Sequence, residues 1–216
     1  MSENVVIALD AMGGDEAPEI VIKGVDIVRI QFPNARFLLF GDDARLQPLL
    51  NAHPGVRAVS EVRHTDQAIK GTDKPSQALR KGRKSSMRLA IDAVRNGEAH
   101  GGVCAGNTGA LMAMAKFSLR MLPGIDRPAI ASVLPSPKGE TVMLDLGANI
   151  ECDADNLVQF ALMGADFIID SRQLPSKKVQ AIIDSLNVAA SEVNFVSMAA
   201  FPKNEGTKLY LLYFSN

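Results

Sequence analysis

The sequence predicts an α/β protein with a doubly wound, three-layer α/β/α sheet. Up to about Phe167, short β-branched or apolar runs alternate with stretches of helical period, a pattern typical of βαβ units and of a parallel sheet covered on both faces. Of the 17 glycines, 16 lie at or before Gly164, whereas both tyrosines lie in the last seven residues. We therefore expect an α/β domain over residues 1–167 and a differently built segment over residues 168–216.

Each predicted element follows from a local signal, and proline or glycine marks where the helices stop, as at Pro33, Pro54 and Pro123. Strands are predicted over residues 5–9, 36–40, 56–62, 102–105, 129–134 and 141–146, and helices over 18–31, 43–52, 75–96, 107–122 and 155–165. A predicted hairpin turn at 135–139 makes the last two strands antiparallel, so we expect six strands with one antiparallel pair.

The segment from residue 168 onward shows weaker signals. Residues 176–190 suit a helix and residues 208–214 suit a strand, but no rhythm of turns and strands joins them to the sheet. We therefore expect the sheet to be incomplete at the C-terminal end.

Composition excludes several classes of protein. Hydrophobic residues make up 47%, charged residues 22%, and the formal net charge is -1, which disfavours disorder, a collagen-like fibre and a globally basic nucleic-acid binder. The start of the chain lacks the pattern of a signal peptide, and no apolar run is long enough to span a membrane. Two cysteines, Cys104 and Cys152, then indicate free thiols and a cytoplasmic protein.

The three histidines, His53, His64 and His100, lie in turn-like contexts without the spacing of metal ligands. We therefore expect no metal site and no Ser-His-Asp arrangement.

Candidate site residues follow the ends of strands, because ligands of open α/β sheets bind beyond the carboxyl ends of the strands. After the first strand, Asp10 leads into Gly13, Gly14 and Asp15, and Pro18 then begins a helix. Glycines permit close approach of the backbone to a ligand, and a helix N-terminus attracts anions. This segment predicts an anion cradle; a tight turn capped by Asp15 is the alternative.

After the fourth strand, Gly106 and Gly109 flank Asn107 and Thr108 at the start of a predicted helix. Asn107 can cap the helix or donate to a ligand oxygen, and Thr108 offers a hydroxyl and a backbone N–H at the positive end of the helix dipole. Cys104 precedes this loop without a nearby His or Lys, so it is expected to be a small core residue rather than a nucleophile.

A strongly basic stretch follows Asp73. It contains Lys74, Arg80, Lys81, Arg83, Lys84 and Arg88, with no acidic residue before Asp92. On one helix from Pro75 onward, Arg80, Lys84 and Arg88 would share a face at a spacing of four residues. Such a stripe suits an anion or an acidic protein, and Ser76 lies in the first turn, where phosphate-type ligands bind; a solvated helix face is the alternative.

The sixth strand ends in Asp145, Gly147 and Asn149. Asp145 can orient a basic group or a ligand hydroxyl, and Asn149 can donate to a carbonyl oxygen. Simple turn formation explains the same residues equally well.

Together these segments resemble the phosphate acyltransferases of bacterial phospholipid synthesis, the PlsX family. The motifs are Ala8-Leu-Asp-Ala-Met-Gly-Gly-Asp15, Lys74-Pro-Ser-Gln-Ala-Leu79, Ser85-Ser-Met87, Ala105-Gly-Asn-Thr-Gly-Ala-Leu111, Arg127-Pro-Ala129, Leu144-Asp-Leu-Gly-Ala-Asn149 and Asn156-Leu-Val-Gln-Phe160. They run in family order from about residue 5 to residue 167, and we find no further match after Ile168.

The resemblance implies a fold like that of phosphotransacetylases and isopropylmalate-type dehydrogenases, a homodimer, peripheral membrane association and no cofactor. It implies that inorganic phosphate and acyl-carrier protein are the partners, with no nucleic acid. The residues assigned on this basis are Asn107, Thr108 and Lys74 for catalysis; Asp10, Gly13, Gly14, Asp15, Ser76, Arg80, Gly106, Gly109, Asp145 and Asn149 for substrate binding; and Arg83, Lys84 and Arg88 for the carrier protein.

Two alternatives stay open. An inactive fragment of such an enzyme, retaining a dimerisation or binding role, would explain the unmatched C-terminal segment, so the activity of this chain is left open. A nicotinamide-dependent dehydrogenase would share the fold, but the chain lacks a dinucleotide fingerprint after its first strand.

Overall fold

The computed structural model describes residues 5–121, 124–136, 139–146, 149, 151–171, 195–202 and 208–215. Within these residues, eight strands form one sheet in the order β3-β2-β1-β4-β8-β7-β5-β6. The strands are β1 Val6–Asp10, β2 Arg36–Gly41, β3 Ser60–His64, β4 Gly101–Cys104, β5 Ala131–Ser136, β6 Gly139–Leu144, β7 Phe195–Pro202 and β8 Lys208–Ser215.

Strand direction divides the sheet into two parts. β3, β2, β1, β4 and β8 are parallel, whereas β7 is antiparallel to both β8 and β5, and β5 is antiparallel to β6. The loops that follow β1 and β4 therefore emerge side by side at one edge of the sheet.

The described helices are α1 Glu19–Gln31, α2 Asp43–Ala52, α3 Pro54–Arg57, α4 Pro75–Lys81, α5 Ser86–Arg95, α6 Thr108–Leu119 and α7 Ala154–Ser171. None of them is long and apolar enough to cross a membrane.

Helices cover both faces of the sheet, because alternate residues of each strand point to opposite sides. Ile7 and Phe37 belong to a core that includes residues of α1, α2 and α3. The next residues along, Ala8 and Leu38, belong to a second core with residues of α4, α5 and α6. The predicted three-layer α/β/α class is thereby confirmed.

Apart from the helix predicted over residues 75–96, the predicted elements of the first 165 residues are present, and most of their boundaries agree within two residues. The third strand is an exception, since it begins at Ser60 rather than at residue 56. Pro54 starts the short helix α3, whose Val56 is buried in the core. Val56 therefore lies in a helical turn. It was predicted as part of the strand because it is apolar.

The predicted single helix over residues 75–96 is wrong, because α4 ends at Lys81 and α5 begins at Ser86. A Cβ on Gly82 would lie 2.6 Å from the carbonyl oxygen of Ala78 and 2.6 Å from Cδ1 of Ile69. Ser85 caps α5, accepting from Arg88 N at 3.2 Å. We call residues 82–85 between the two helices the basic turn.

The C-terminal segment also differs from expectation. The strand predicted over 208–214 is confirmed as β8, but β8 lies within the sheet, where Gly101 of β4 pairs with Tyr210. β7 was not predicted, and within the described residues the sheet has eight strands and three antiparallel pairs rather than six and one. The predicted helix over 176–190 lies outside the described residues.

Candidate functional site

Two glycine-containing loops meet at the carboxyl ends of β1 and β4. The β1 loop comprises residues 11–18 and the β4 loop residues 105–107. Gly14 has a φ of +99° and lies against Ala105, whose carbonyl oxygen would be 3.0 Å from a Cβ on Gly14. A Cβ on Gly106 would lie 3.3 Å from Cα of Gly13. The loops therefore pack backbone against backbone, which side chains at these positions would prevent.

Asp10 and Cys104 lie beneath the two loops, and both are buried. The Cys104 thiol donates to Oδ2 of Asp10 at 3.0 Å, and the Met12 N–H donates to Oδ1 at 3.1 Å. Burial raises the pKa of Asp10, and these two hydrogen bonds oppose the rise. Burial and the neighbouring carboxylate raise the pKa of Cys104 well above its ordinary value, so the thiol is a donor and a poor nucleophile.

Asn107 is the N-cap of α6, with its Oδ1 accepting from Ala110 N at 2.9 Å. Its Nδ2 donates to the carbonyl oxygens of Lys70, Gly71 and Asp73, at 3.2, 3.0 and 2.8 Å. Both ends of the amide are thus engaged within the chain. Of the two uses predicted for Asn107, the cap is the one that the structure shows, and its side chain holds the 70–73 turn.

Thr108 and Gly109 form the first turn of α6, before the first intrahelical bond from Leu111 N to Asn107 O. Their N–H groups therefore precede the helical hydrogen-bond ladder, at the positive end of the helix dipole. A Cβ on Gly109 would lie 2.7 Å from Cγ of Pro75. The start of α4, with Lys74 as its N-cap residue, is therefore placed beside the start of α6.

The remaining polar residues near this edge are exposed. Lys74 at the N-cap of α4, Ser76 and Arg80 on α4, and Asp15 in the β1 loop are all open to solvent. Arg80 Nε donates to the backbone oxygen of Ser76 at 3.3 Å. Among the described residues, no acidic side chain forms an ion pair with Lys74 or Arg80.

The expected stripe of Arg80, Lys84 and Arg88 on one helix is wrong, because the basic turn separates them. Arg80 lies on α4, Lys84 in the turn and Arg88 on α5. Arg88 forms an ion pair with Asp92, with Nε 3.0 Å from Oδ2. Asp92 also accepts from Ser118 at 2.9 Å, so this arginine contributes to a brace between α5 and α6.

The structure does not bring Asp145 and Asn149 to the glycine loops. Because β6 runs opposite to β1, its carboxyl end lies at the edge of the sheet where β1 begins. Asp145 accepts from Ile130 N at 2.8 Å and from Asn149 N at 2.7 Å, and Asn149 Nδ2 donates to Pro128 O at 3.1 Å. Both residues brace the segment before β5.

Two residues that shape the basic turn were not predicted from the sequence. Gln67 accepts from Lys84 N at 3.1 Å and donates to Lys81 O at 2.9 Å. Thr65 donates to Lys84 O at 2.5 Å. The only local signals for the break were Gly82 and the Ser85-Ser86 pair, which suit a helix end and a helix cap.

An apolar groove lies between β6 and α7 and was also not predicted. It is lined by Val142, Leu144, Leu157, Phe160, Ala161, Gly164 and Ala165. β6 is the last strand of the sheet, whereas β1 and β4 are central, so the groove is separate from the glycine loops. In the described part of the chain, no group of three or more His, Cys, Asp or Glu side chains is placed to hold a metal ion.

Solved structures of low sequence identity share this fold. A phosphotransacetylase from Streptococcus pyogenes aligns with a TM-score of 0.56 at 17% identity, covering 74% of this chain and 52% of that one. A branched-chain phosphotransacylase from Enterococcus faecalis V583 gives a TM-score of 0.53 at 14% identity, covering 78% of this chain and 52% of that one. The predicted phosphotransacetylase-like fold is confirmed.

The sequence defines the family more narrowly. A family model described as fatty acid synthesis protein matches residues 5–194, and the chain belongs to this family. The predicted PlsX-type resemblance is thereby confirmed. The match to the family model extends to residue 194, beyond the last of the motifs.

Two curated relatives share the same name. A phosphate acyltransferase from Rhodospirillum centenum is 65% identical over 167 residues, covering 77% of this chain and 47% of that protein. A phosphate acyltransferase from Parvibaculum lavamentivorans is 52% identical over 194 residues, covering 89% of this chain and 53% of that protein. The chain spans about half the length of the curated relatives that it matches.

Proposed function

We propose that this chain carries the phosphate-binding part of a phosphate acyltransferase that transfers an acyl group from acyl-acyl-carrier protein to inorganic phosphate. The products are acyl phosphate, for phospholipid synthesis, and free carrier protein. One observation supports this most directly, namely the packing of the β1 loop on the β4 loop. The proposal includes the homodimer, the cytoplasmic location and the peripheral membrane association expected from the sequence.

The chemistry requires little from the protein beyond binding and charge. A phosphate oxygen attacks the thioester carbonyl, the carbonyl oxygen becomes an oxyanion, and the carrier thiolate leaves. A thiol of pKa near ~8.5 is a good leaving group, so the oxyanion and the phosphate are the charges that need stabilisation. No covalent enzyme nucleophile is needed, which agrees with a Cys104 thiol that is buried and hydrogen-bonded to Asp10.

The described residues suggest a division of roles. Gly13, Gly14 and Gly106 permit the backbone to approach the phosphate, and the first-turn N–H groups of Thr108 and Gly109 face developing negative charge. Lys74 and Arg80 supply positive charge, with Ser76 and Asp15 at the rim. Asn107 acts by holding α6 and the 70–73 turn, and Asp145 and Asn149 are left out of the proposed site.

The carrier protein is proposed to dock on the basic turn. Arg83 and Lys84 are exposed there, next to Arg80 and Lys81 at the end of α4. Exposed positive charges attract an acidic partner and raise its rate of encounter. Arg88 is omitted because Asp92 pairs with it.

Thermal unfolding in phosphate tests the proposed site. A ligand that binds the folded state stabilises it by RT ln(1+[L]/Kd), about 2.7 kcal/mol at about 100 times Kd. We expect phosphate to raise Tm more than chloride does at matched ionic strength, and Gly106→Val to abolish the difference, because its side chain would enter the contact with Gly13. Ala52→Val, at the exposed end of α2, should leave the difference intact. Equal shifts with the two anions in the unsubstituted protein would contradict the proposal.

A further inference from the structure

The two glycine loops are joined from below by one chain of hydrogen bonds. The Met12 N–H of the β1 loop donates to Oδ1 of Asp10 at 3.1 Å. Oδ2 of the same carboxyl accepts from the Cys104 thiol at 3.0 Å. The Gly106 N–H of the β4 loop then donates to Sγ of Cys104 at 3.3 Å. Each loop is thereby tied to the same pair of buried side chains.

Strand register places this pair side by side. β1 and β4 are adjacent and parallel, and their last paired residues are Leu9 and Val103. Asp10 and Cys104 are the next residue on each strand, exposed by only 2% and 3%. Burying a carboxyl and a thiol this deeply costs free energy unless the groups form hydrogen bonds. Here the two side chains are hydrogen-bonded to each other.

The loop glycines lie directly on the pair. A Cβ on Gly13 would be 2.6 Å from Oδ2 of Asp10 and 3.1 Å from Sγ of Cys104. A Cβ on Gly106 would be 3.4 Å from the same sulfur. A shift of the pair therefore moves the backbone of both loops.

Ser86 closes the cluster from the side of α5. Its hydroxyl is fully buried and has no hydrogen-bond partner among the residues that the structure describes, and its proximity to Asp10 opposes the rise in the pKa of that carboxyl. The cluster thus connects three elements, namely β1, β4 and the first turn of α5.

We propose that Asp10 and Cys104 form a positioning pair that sets the distance between the β1 loop and the β4 loop, and so shapes the anion site between them. The inference rests on the proposed function, since the anion is taken to be phosphate. Neither side chain contacts the substrate in this proposal. The thiol acts as a hydrogen-bond donor and acceptor, and its own reactivity is not used.

Conservative and disruptive substitutions of Cys104 distinguish this role from simple packing. Cys104→Ser keeps a donor to Asp10 and an acceptor for Gly106, whereas Cys104→Ala removes both. Because Cys104→Ala loses two hydrogen bonds, we expect it to raise the Kd for inorganic phosphate about tenfold, and we expect Cys104→Ser to restore most of the affinity. Isothermal titration calorimetry measures both values. Val94→Ala, which removes buried volume from α5, controls for a general loss of stability and should leave Kd unchanged.

A double-mutant cycle tests whether the two residues act together. Because Asp10→Ala and Cys104→Ala break the same chain of hydrogen bonds, the double variant should bind phosphate no more weakly than Asp10→Ala alone. Independent, additive losses would overturn the pair, as would wild-type affinity in Cys104→Ala.

Amide hydrogen exchange separates failure of this inference from failure of the proposed function. Exchange at the Met12 and Gly106 amides should quicken in Cys104→Ala and return in Cys104→Ser, whether or not phosphate binds. If the unsubstituted protein binds no phosphate, the proposed function is wrong. The exchange rates of the two amides still test the positioning role in that case. Unchanged exchange at both amides in Cys104→Ala would overturn the pair.

Discussion

At the scale of single residues, Gly13 has no room for a side chain. A Cβ there would lie 2.6 Å from Oδ2 of Asp10 and 3.1 Å from Sγ of Cys104, and neither of these buried groups can move without losing its hydrogen bonds. Gly71 is the useful contrast, since a Cβ at that position would have no atom within 4 Å.

Gly13→Ala should therefore destabilise the protein by about 1–3 kcal/mol, the usual cost of overpacking a buried site. Gly71→Ala should leave stability unchanged or raise it, by about 0.4–1 kcal/mol, because alanine reduces the freedom of the unfolded chain. Urea unfolding midpoints measure both variants. Equal midpoints for the two variants would show that the β1 loop can open without cost.

Residue patterns predicted the position of the loop glycines better than they predicted the contacts of the polar side chains. Gly13, Gly14 and Gly106 do lie at one edge of the sheet, because the carboxyl ends of parallel strands must meet there. Asn107 shows the limit of this reasoning. The sequence does not distinguish a helix cap from a donor to a ligand. In the structure, the amide nitrogen of Asn107 is already bonded to carbonyl oxygens of the 70–73 turn, which is distant in sequence.

At the scale of elements, polar side chains connect α1 to the residue that precedes α3. Asp26 of α1 pairs with Arg29, at 2.7 Å, and its Oδ2 lies 3.4 Å from Nδ1 of His53 at the start of α3. A hydrogen bond from Arg29 is the main cause that holds the pKa of Asp26 below its ordinary value of 3.8. A carboxyl whose pKa is lowered by folding stabilises the fold above the unfolded pKa, and that contribution disappears as the pH falls through the folded pKa.

Asp26→Asn should therefore lower stability at about pH 7 by less than about 1 kcal/mol, because the pair is partly exposed and screened by solvent. The difference from the unsubstituted protein should shrink toward zero at pH values below 3.8. Urea unfolding at several pH values measures it, with Glu16→Gln, at an exposed position of the β1 loop, as the control. A difference that grows as the pH falls would contradict the assignment.

Element boundaries were predictable where one local signal dominated. Proline and glycine stops defined α1 and α2, whereas the break between α4 and α5 was missed because helical periodicity continues across it. Two of the contacts that exclude a side chain at Gly82 come from Ile69, in the loop after β3, and from Met114 of α6. The sequence around residue 82 does not reveal these contacts. In the same way, the sequence of β8 does not reveal which strand it pairs with.

At the scale of the whole molecule, the sheet order depends on pairing over long sequence distances. β8 lies beside β4 although more than one hundred residues separate Cys104 from its partner Tyr213. The sequence of residues 208–214 predicts a strand, but it does not indicate which neighbouring strand it will pair with. The position of β8 in the sheet was therefore not predicted. The direction of β6 follows from the same pairing, and it moves Asp145 to the opposite edge from the glycine loops.

Charge is also distributed at this scale, since a chain of net charge -1 carries a concentrated positive surface at the basic turn. Thr65 and Gln67 hold the backbone of Lys84, so the turn presents Arg83 and Lys84 in a defined position. α1 and α3 cover the opposite face of the sheet, where Lys23 and Arg57 are exposed. The two faces therefore offer matched pairs of positive side chains.

Reversing both charges of the basic turn, with Arg83→Glu and Lys84→Glu, should slow association with acyl-carrier protein and flatten its dependence on salt. Exposed charges act mainly on the encounter rate, so we expect association to fall by about tenfold at low ionic strength while dissociation changes little. Stopped-flow fluorescence measures both rates. Lys23→Glu with Arg57→Glu makes the same change in net charge on the opposite face and should have a much smaller effect. An equal loss in the two double variants would mean that net charge alone governs the encounter, and an unchanged rate in both would remove the basic turn as the carrier-protein surface.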